Sequence, residues 1–152
     1  MSWQPLWSVT NAVALGAWLL LILAPRRPLV LSAVLYMGVG LLCLLYTAMF
    51  VALVTGAVEG GSSRQPFEYS IAGIRHLFAT DGGIVVGWTH YLALDLFAGL
   101  WIARDADAKS VGRMVQGPIL LLTFLAGPLG LLIWLIVREP RARASRRSQR
   151  PS

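Results

Sequence analysis

Two ionisable side chains, His90 and Asp95, lie in the mostly apolar run "GWTHYLALDLFAGLWIARDAD", residues 87–107. A charged Asp near the centre of a bilayer costs about 2.5 kcal/mol or more, so such a residue is protonated, paired or beside a wet cavity. A protonated carboxyl group can act as a general acid, and a neutral imidazole can act as a general base. The two residues therefore indicate either acid–base chemistry or hydrogen bonds that join helices.

The helical positions of these residues argue against a direct pair. Residues five apart on a helix point about 140° away from each other, whereas Trp88, Tyr91, Asp95 and Gly99 share one face. His90 and Asp95 therefore contact different neighbours. Polar groups on two faces are best satisfied at the centre of a bundle, so the sequence predicts that this helix is central.

A second stretch, "QGPILLLTFLAGPLGLLIW", residues 116–134, contains two Gly-Pro steps. Pro128 removes a backbone hydrogen bond and predicts a kink, and Gly127 and Gly130 leave room for close packing or for a ligand. For Asp95, the predicted hydrogen-bond partners are the hydroxyl groups of Thr47, Tyr46, Tyr36 or Thr123. The candidate catalytic residues are thus His90 and Asp95, and the candidate ligand-binding residues are Trp88, Tyr91, Thr123, Gly127 and Pro128.

The composition decides which elements hold these residues. Of 152 residues, 57% are hydrophobic and only 13% are charged, against roughly 25% charged in soluble domains. The sequence predicts an all-α fold, a polytopic membrane four-helix bundle, with spans at about 6–24, 29–58, 83–104 and 115–137. These spans form one membrane domain, 1–139, which is followed by a basic disordered tail, 140–152.

The basic residues bear on orientation. The net charge is +6, and six of the 13 basic residues lie in the last 15 residues, as expected of a tail held against an anionic leaflet. The tail has no interleaved aromatic residues, so nucleic-acid binding is not predicted. Four spans put both termini on the same side of the membrane. That side holds eight basic residues and the other side holds five, which favours cytoplasmic termini. The loops on the opposite side are nevertheless unusually basic.

No cofactor and no metal are predicted. Cys43 is the single cysteine, so the chain has neither an internal disulfide nor a cysteine-based metal site. His76 and Asp81 precede the third span, but their irregular spacing gives a metal site with His90 and Asp95 little support. The sequence contains no phosphate-binding loop, no dinucleotide-binding glycine motif, no G-x-S-x-G and no HExxH.

The segments "GWTHYLALDLFAGLWIARDA" and "GPILLLTFLAGPLGLLIW" together resemble the signature of the abscisic-acid-deficient-four-like proteins, a family of small integral membrane proteins. The motifs cover about residues 87–137, and the upstream spans match in apolar pattern and length. The plant branch is associated with the isomerisation of violaxanthin to neoxanthin, which needs an acid and a base but no redox cofactor. The resemblance carries the acid and base roles to His90 and Asp95.

Three functional interpretations are open. The leading one is a membrane protein that acts on or binds a carotenoid- or isoprenoid-like lipid, with an epoxy-carotenoid isomerase-type activity. The alternative is a non-catalytic membrane binding or assembly protein in which His90 and Asp95 are structural, and a weaker third is a small transporter or proton-relay subunit. The expected partners are membrane lipid and an apolar small molecule, and the small residues of the fourth span permit homo-oligomers. The basic tail and the lack of a transit peptide favour a bacterial relative in the inner membrane.

Overall fold

The computed structural model describes residues 2–58 and 70–148, and every regular element in these ranges is a helix. The predicted all-α fold is therefore confirmed. The described residues form six helices: α1 (Gln4–Leu23), α2 (Pro28–Val54), α3 (Ile71–Leu77), α4 (Asp81–Ala108), α5 (Arg113–Leu125) and α6 (Gly127–Ser148).

Three helices in the described ranges, α1, α2 and α4, are long and apolar enough to cross a membrane. They contain 20, 27 and 28 residues. At 1.5 Å per residue these lengths are about 30 to 42 Å, which equals or exceeds the thickness of a hydrocarbon core. The structure thus supports a membrane protein and three of the four predicted spans.

Helices α1 and α4 are parallel neighbours that pack through aromatic rings against glycines. Trp3 near the start of α1 lies against Gly82, and Trp18 near its end lies against Gly99. An added Cβ at Gly99 would lie 2.8 and 3.2 Å from two further carbons of the Trp18 ring. Since glycine removes the Cβ at both contacts, the two indole rings lie directly on the backbone of α4.

Helix α2 runs antiparallel to α4. Leu53 near the end of α2 lies against Gly82 at the start of α4, whereas Gly38 lies against Leu96 further along α4. Gly38 belongs to a π-helical segment, Val34–Gly40, within α2. An added Cβ there would lie 2.9 Å from a methyl group of Leu96, so the wide helical turn brings the backbone of α2 close to α4.

Helices α5 and α6 form an antiparallel hairpin. The chain leaves helical geometry at Ala126, with φ −153° and ψ 75°, and resumes it at Gly127. Thr123 and Gly130 then face each other across the turn, and an added Cβ at Gly130 would lie 2.6 Å from the Cα of Thr123. In one continuous helix, residues seven apart would be separated by about 10 Å.

The fourth predicted span, 115–137, and with it the four-helix bundle, are not confirmed. Helix α5 has 13 residues, about 20 Å, which is too short to cross a bilayer. Pro128 was expected to kink a continuous helix, but it is the second residue of α6, where a proline fits without loss of a helical hydrogen bond. The chain therefore reverses direction instead of bending.

The hairpin begins and ends beside the same end of α4. Asp105 accepts hydrogen bonds from Nε1 of Trp134, at 3.1 Å, and from Nη2 of Arg138, at 3.3 Å. The Nε atom of Arg138 also lies 2.8 Å from the Asp105 carboxylate in an ion pair. Lys109 also pairs with this carboxylate. Because Trp134 is fully buried, these contacts fix the C-terminal half of the hairpin to the last turns of α4.

A second carboxylate, Asp107, joins the same end of the bundle to the loop between α1 and α2. It accepts a hydrogen bond from Nε2 of Gln116 in α5, at 2.9 Å, and its oxygen lies 3.5 Å from Arg26. Burial lowers the pKa of the Arg26 guanidinium, and the carboxylate of Asp107 opposes part of that shift. Asp105 and Asp107 extend α4 beyond the predicted boundary at residue 104 because each charge has partners on neighbouring segments.

The backbone of α6 continues to Ser148, into the segment for which a disordered tail, 140–152, is predicted. Arginine and alanine dominate residues 141–147 and are good helix formers, which agrees with the helical backbone there. Residues 149–152 lie outside the described residues.

Candidate functional site

One side of α4 has no helix covering it in the described structure. We call it the open face of α4, and it consists of His90, Tyr91, Leu94 and Phe97, all of which are exposed. Leu94 and Phe97 are each 52% exposed. The prediction that neither polar face of this helix meets lipid is not met, because no full fourth span covers α4 among residues 2–58 and 70–148.

The hairpin reaches only halfway along α4. Its tip, at Ala126 and Gly127, lies against Asp95, and its far end lies at Asp105. Asp95 is the fifteenth of the 28 residues of α4, so the half of α4 that precedes it lies beyond the reach of the hairpin. The tip therefore forms one boundary of the open face.

His90 lies at the edge of the open face that borders α2. The centroid of its ring is 5.4 Å from that of Tyr46 in α2 and 6.2 Å from that of Tyr91. Tyr46 in turn stacks on Phe50, with centroids 5.7 Å apart. No side chain or backbone group in the described residues hydrogen-bonds the imidazole, so both of its nitrogens are available to a ligand.

Asp95 lies at the other edge, against the hairpin tip. Its carboxylate is in such close contact with Gly127 that any Cβ there would overlap it. Gly127 is the first residue of α6, and the amino end of a helix carries partial positive charge that favours a carboxylate by about 0.3–1 kcal/mol. Within the described residues, Asp95 accepts no hydrogen bond, so the contact with the helix end is its main polar environment.

The hydroxyl partners predicted for Asp95 are engaged elsewhere. Thr123 and Thr47 each donate to the backbone carbonyl four residues earlier, at 2.8 Å in both cases. Tyr46 lies beside His90 on the α2 side of α4, and no hydrogen bond joins Tyr36 to Asp95 in the described part of the chain. None of the four candidate partners is hydrogen-bonded to Asp95 in the described residues, because Asp95 faces Gly127 at the hairpin tip.

The five predicted ligand-binding residues do not form a single cluster. Trp88 faces α1, where its ring stacks on Trp7 at 5.5 Å and its Nε1 donates to Oδ1 of Asn11 at 3.1 Å. Thr123 is fully buried inside the hairpin. Tyr91, which is 58% exposed, lies on the open face.

The remaining two predicted ligand-binding residues, Gly127 and Pro128, form the start of α6 at the hairpin tip. The structure therefore brings together Asp95, Gly127 and Pro128, and separately His90 and Tyr91, on two edges of one surface. Trp88 and Thr123 serve contacts between helices.

Sequence reasoning did not single out Leu94 and Phe97 as ligand contacts. Both are ordinary apolar residues in an apolar segment. Their accessibility becomes evident only because no helix in the described structure covers this side of α4. Tyr46 is predicted only as a hydrogen-bond partner of Asp95. Its position opposite His90 follows from the antiparallel register of α2, which the sequence does not specify.

The arrangement suits a long apolar molecule better than a compact polar one. His90 and Asp95 are five residues apart, so the rise between them is about 7.5 Å and no proton passes directly from one to the other. An extended chain lying along the open face touches both edges and the apolar surface between them. No group of three potential metal ligands occurs among residues 2–58 and 70–148.

Comparison with protein families gives one match. The family model described as ABA DEFICIENT 4-like matches residues 5–134. The match covers all three membrane-crossing helices, α5 and the first part of α6, and it includes both edges of the open face. No curated protein and no solved structure matches the chain.

Proposed function

Because the chain belongs to the ABA DEFICIENT 4-like family, we propose that it binds a carotenoid- or isoprenoid-like lipid along the open face of α4. The observation that carries this proposal is the position of His90 and Asp95 at the two edges of an exposed apolar surface. Tyr91 and Leu94, between the edges, offer the apolar contact that orients an extended chain. A polar end group then lies next to one of the two ionisable residues.

The activity that fits these residues is the isomerisation of an epoxide. Asp95 donates a proton to the epoxide oxygen while a C–O bond breaks and its electron pair stays on oxygen. The Asp95 carboxylate then accepts a proton from a neighbouring carbon, and the electrons of that C–H bond form the new double bond, so Asp95 ends the reaction protonated as it began. His90, on the other edge of the open face, contacts the substrate farther along its chain. The product is an isomer of the substrate, so the reaction consumes no oxidant and no reductant.

A second candidate function rests on the contact between Asp95 and Gly127. This contact joins α4 to the hairpin tip in the middle of the helix, where an ionisable residue is costly. In this alternative the chain is a non-catalytic binding or assembly protein, and Asp95 keeps the hairpin in place.

Binding is tested by extracting pigment and lipid from protein purified out of carotenoid-producing cells. We expect a polyene absorption band in the extract, and we expect Leu94→Ala to reduce the retained polyene about tenfold through lost apolar contact. Leu15→Ala is the matched control, because Leu15 lies on α1 with 51% exposure against 52% for Leu94. A colourless extract, or equal losses in the two variants, would contradict the binding site.

Catalysis is tested with His90→Gln and Asp95→Asn, which keep size and hydrogen-bonding capacity. In membranes supplied with an epoxy-carotenoid, we expect conversion to fall at least a hundredfold in Asp95→Asn and about tenfold in His90→Gln, while the unfolding temperature of both variants stays unchanged. The assembly alternative predicts a lower unfolding temperature for Asp95→Asn. It also predicts that the unsubstituted protein converts no epoxy-carotenoid. Full conversion by both variants would show that neither residue is catalytic.

A further inference from the structure

The direction of the hairpin determines on which side of the membrane the C-terminal arginines lie. Were residues 113–138 one crossing helix, Arg113 and Arg138 would be about 37 Å apart along its axis. In the structure, Arg138 is paired with Asp105 at the end of α4, and Arg113 hydrogen-bonds the carbonyl of Ala24 in the adjoining α1–α2 loop. Both ends of the hairpin are therefore at one end of the bundle.

We infer that α5 and α6 re-enter the membrane from one side only, so that the chain crosses three times and its termini lie on opposite sides. The end of the bundle that holds Asp105, which we call the basic end, then presents its charges to the anionic headgroups of the cytoplasmic leaflet. The basic end comprises the α1–α2 loop, the α4–α5 loop and α6 from Arg138 to Ser148.

The distribution of charge supports this orientation. Of the 11 basic residues in the described ranges, ten fall at the basic end and only Arg75, in α3, belongs to the opposite end. The α1–α2 and α4–α5 loops are unusually basic for the outer side of a four-span chain. With three crossings they become part of one cytoplasmic surface, as the positive-inside rule requires. The ten residues are Arg26, Arg27, Arg104, Lys109, Arg113, Arg138, Arg141, Arg143, Arg146 and Arg147.

Several of these cations are free to bind lipid. The carboxylates of Asp105 and Asp107 at the basic end are already paired with Lys109, Arg138 and Arg26. The exposed guanidinium groups of Arg27 and Arg104 have no ion pair among the described residues. A surface with cations in excess attracts anionic headgroups, and salt screens this attraction.

The orientation is tested by cysteine labelling in intact cells and inverted membrane vesicles. Single cysteines, Ser2→Cys, Gly112→Cys and Ser152→Cys, are placed in a Cys43→Ser background and exposed to a membrane-impermeant maleimide. Gly112 marks the α4–α5 loop, and an added Cβ there meets no atom within 4 Å. We expect positions 112 and 152 to react in inverted vesicles only and position 2 in intact cells only. Labelling of positions 2 and 152 from the same side would overturn the inference.

The headgroup contact is tested by thermal unfolding in nanodiscs of phosphatidylcholine, with and without phosphatidylglycerol. We expect phosphatidylglycerol to raise the unfolding temperature by roughly 4 °C, and we expect Arg27→Gln with Arg104→Gln, or 0.5 M salt (about a 4 Å screening length), to remove most of that increase. Arg75→Gln is the control at the opposite end and should leave the increase intact. Equal unfolding temperatures in both lipids, or equal losses in both variants, would show that the basic end does not bind anionic headgroups.

Discussion

Replacing Gly127 by alanine tests whether the hairpin tip and Asp95 are in contact. An added Cβ at Gly127 overlaps the carboxylate of Asp95, which belongs to the middle of α4 and cannot move without disturbing both helices. Overfilling a packed contact costs about 1–3 kcal/mol. For a chain of this size, that cost lowers the unfolding temperature by roughly 3–8 °C.

A matched substitution is available in α1. At Gly16, inside α1, an added Cβ meets no atom within 4 Å. Gly16→Ala should therefore show only the helix-propensity gain of alanine over glycine, up to about 1 kcal/mol, and raise the unfolding temperature. Both variants are compared with the unsubstituted protein in the same nanodiscs, with unfolding followed by circular dichroism.

A double variant isolates the contact itself. In an Asp95→Ala background the obstructing carboxylate is absent, so Gly127→Ala should cost close to nothing. The difference between its cost in the two backgrounds should then be about 1–3 kcal/mol. If Gly127→Ala is tolerated as well as Gly16→Ala, or if its cost is the same in both backgrounds, the packing of the hairpin tip on α4 is wrong.

Two further substitutions test the other contacts that fix α4. Gly99→Ala places a methyl group in the ring of Trp18 and should cost about 1–3 kcal/mol by the same unfolding measurement, so an unchanged unfolding temperature would count against the α1–α4 packing. Trp134→Phe removes the N–H that Asp105 accepts and should cost about 2 kcal/mol, with faster hydrogen exchange in α6 than in α1; uniform exchange would refute the anchoring role.

The sequence predicts the helices that cross the membrane because length and apolar composition determine them directly. Its third span begins at Gly83 and the helix begins at Asp81, where Oγ1 of Thr80 accepts a hydrogen bond from the backbone N–H of Gly83. The far boundary at Arg104 is less accurate, since Asp105 and Asp107 look like loop residues until their partners on other segments are known.

The fourth segment shows the limit of sequence reasoning. Proline within an apolar run predicts a disturbed helix, but whether the helix kinks or the chain reverses depends on what the segment after the break contacts. Here Gly127, the first residue of α6, contacts Asp95, and α6 contacts Asp105 further along its length. Both contacts join segments far apart in sequence, so neither the hairpin nor the open face of α4 that results from it could be predicted.

The half-depth hairpin also bears on how the protein is made. Helix α5 is too short to be held across the bilayer as it leaves the ribosome, and its tip position depends on Asp95 being already in place. With the three crossings inferred above, we expect the insertion machinery to release three helices laterally and to leave the last segment at the membrane surface. We then expect the final step of maturation to be the insertion of this segment into the finished bundle. Cells that make a variant unable to receive it should accumulate a chain with all three crossings but with a C-terminal half that is open to cytoplasmic proteases.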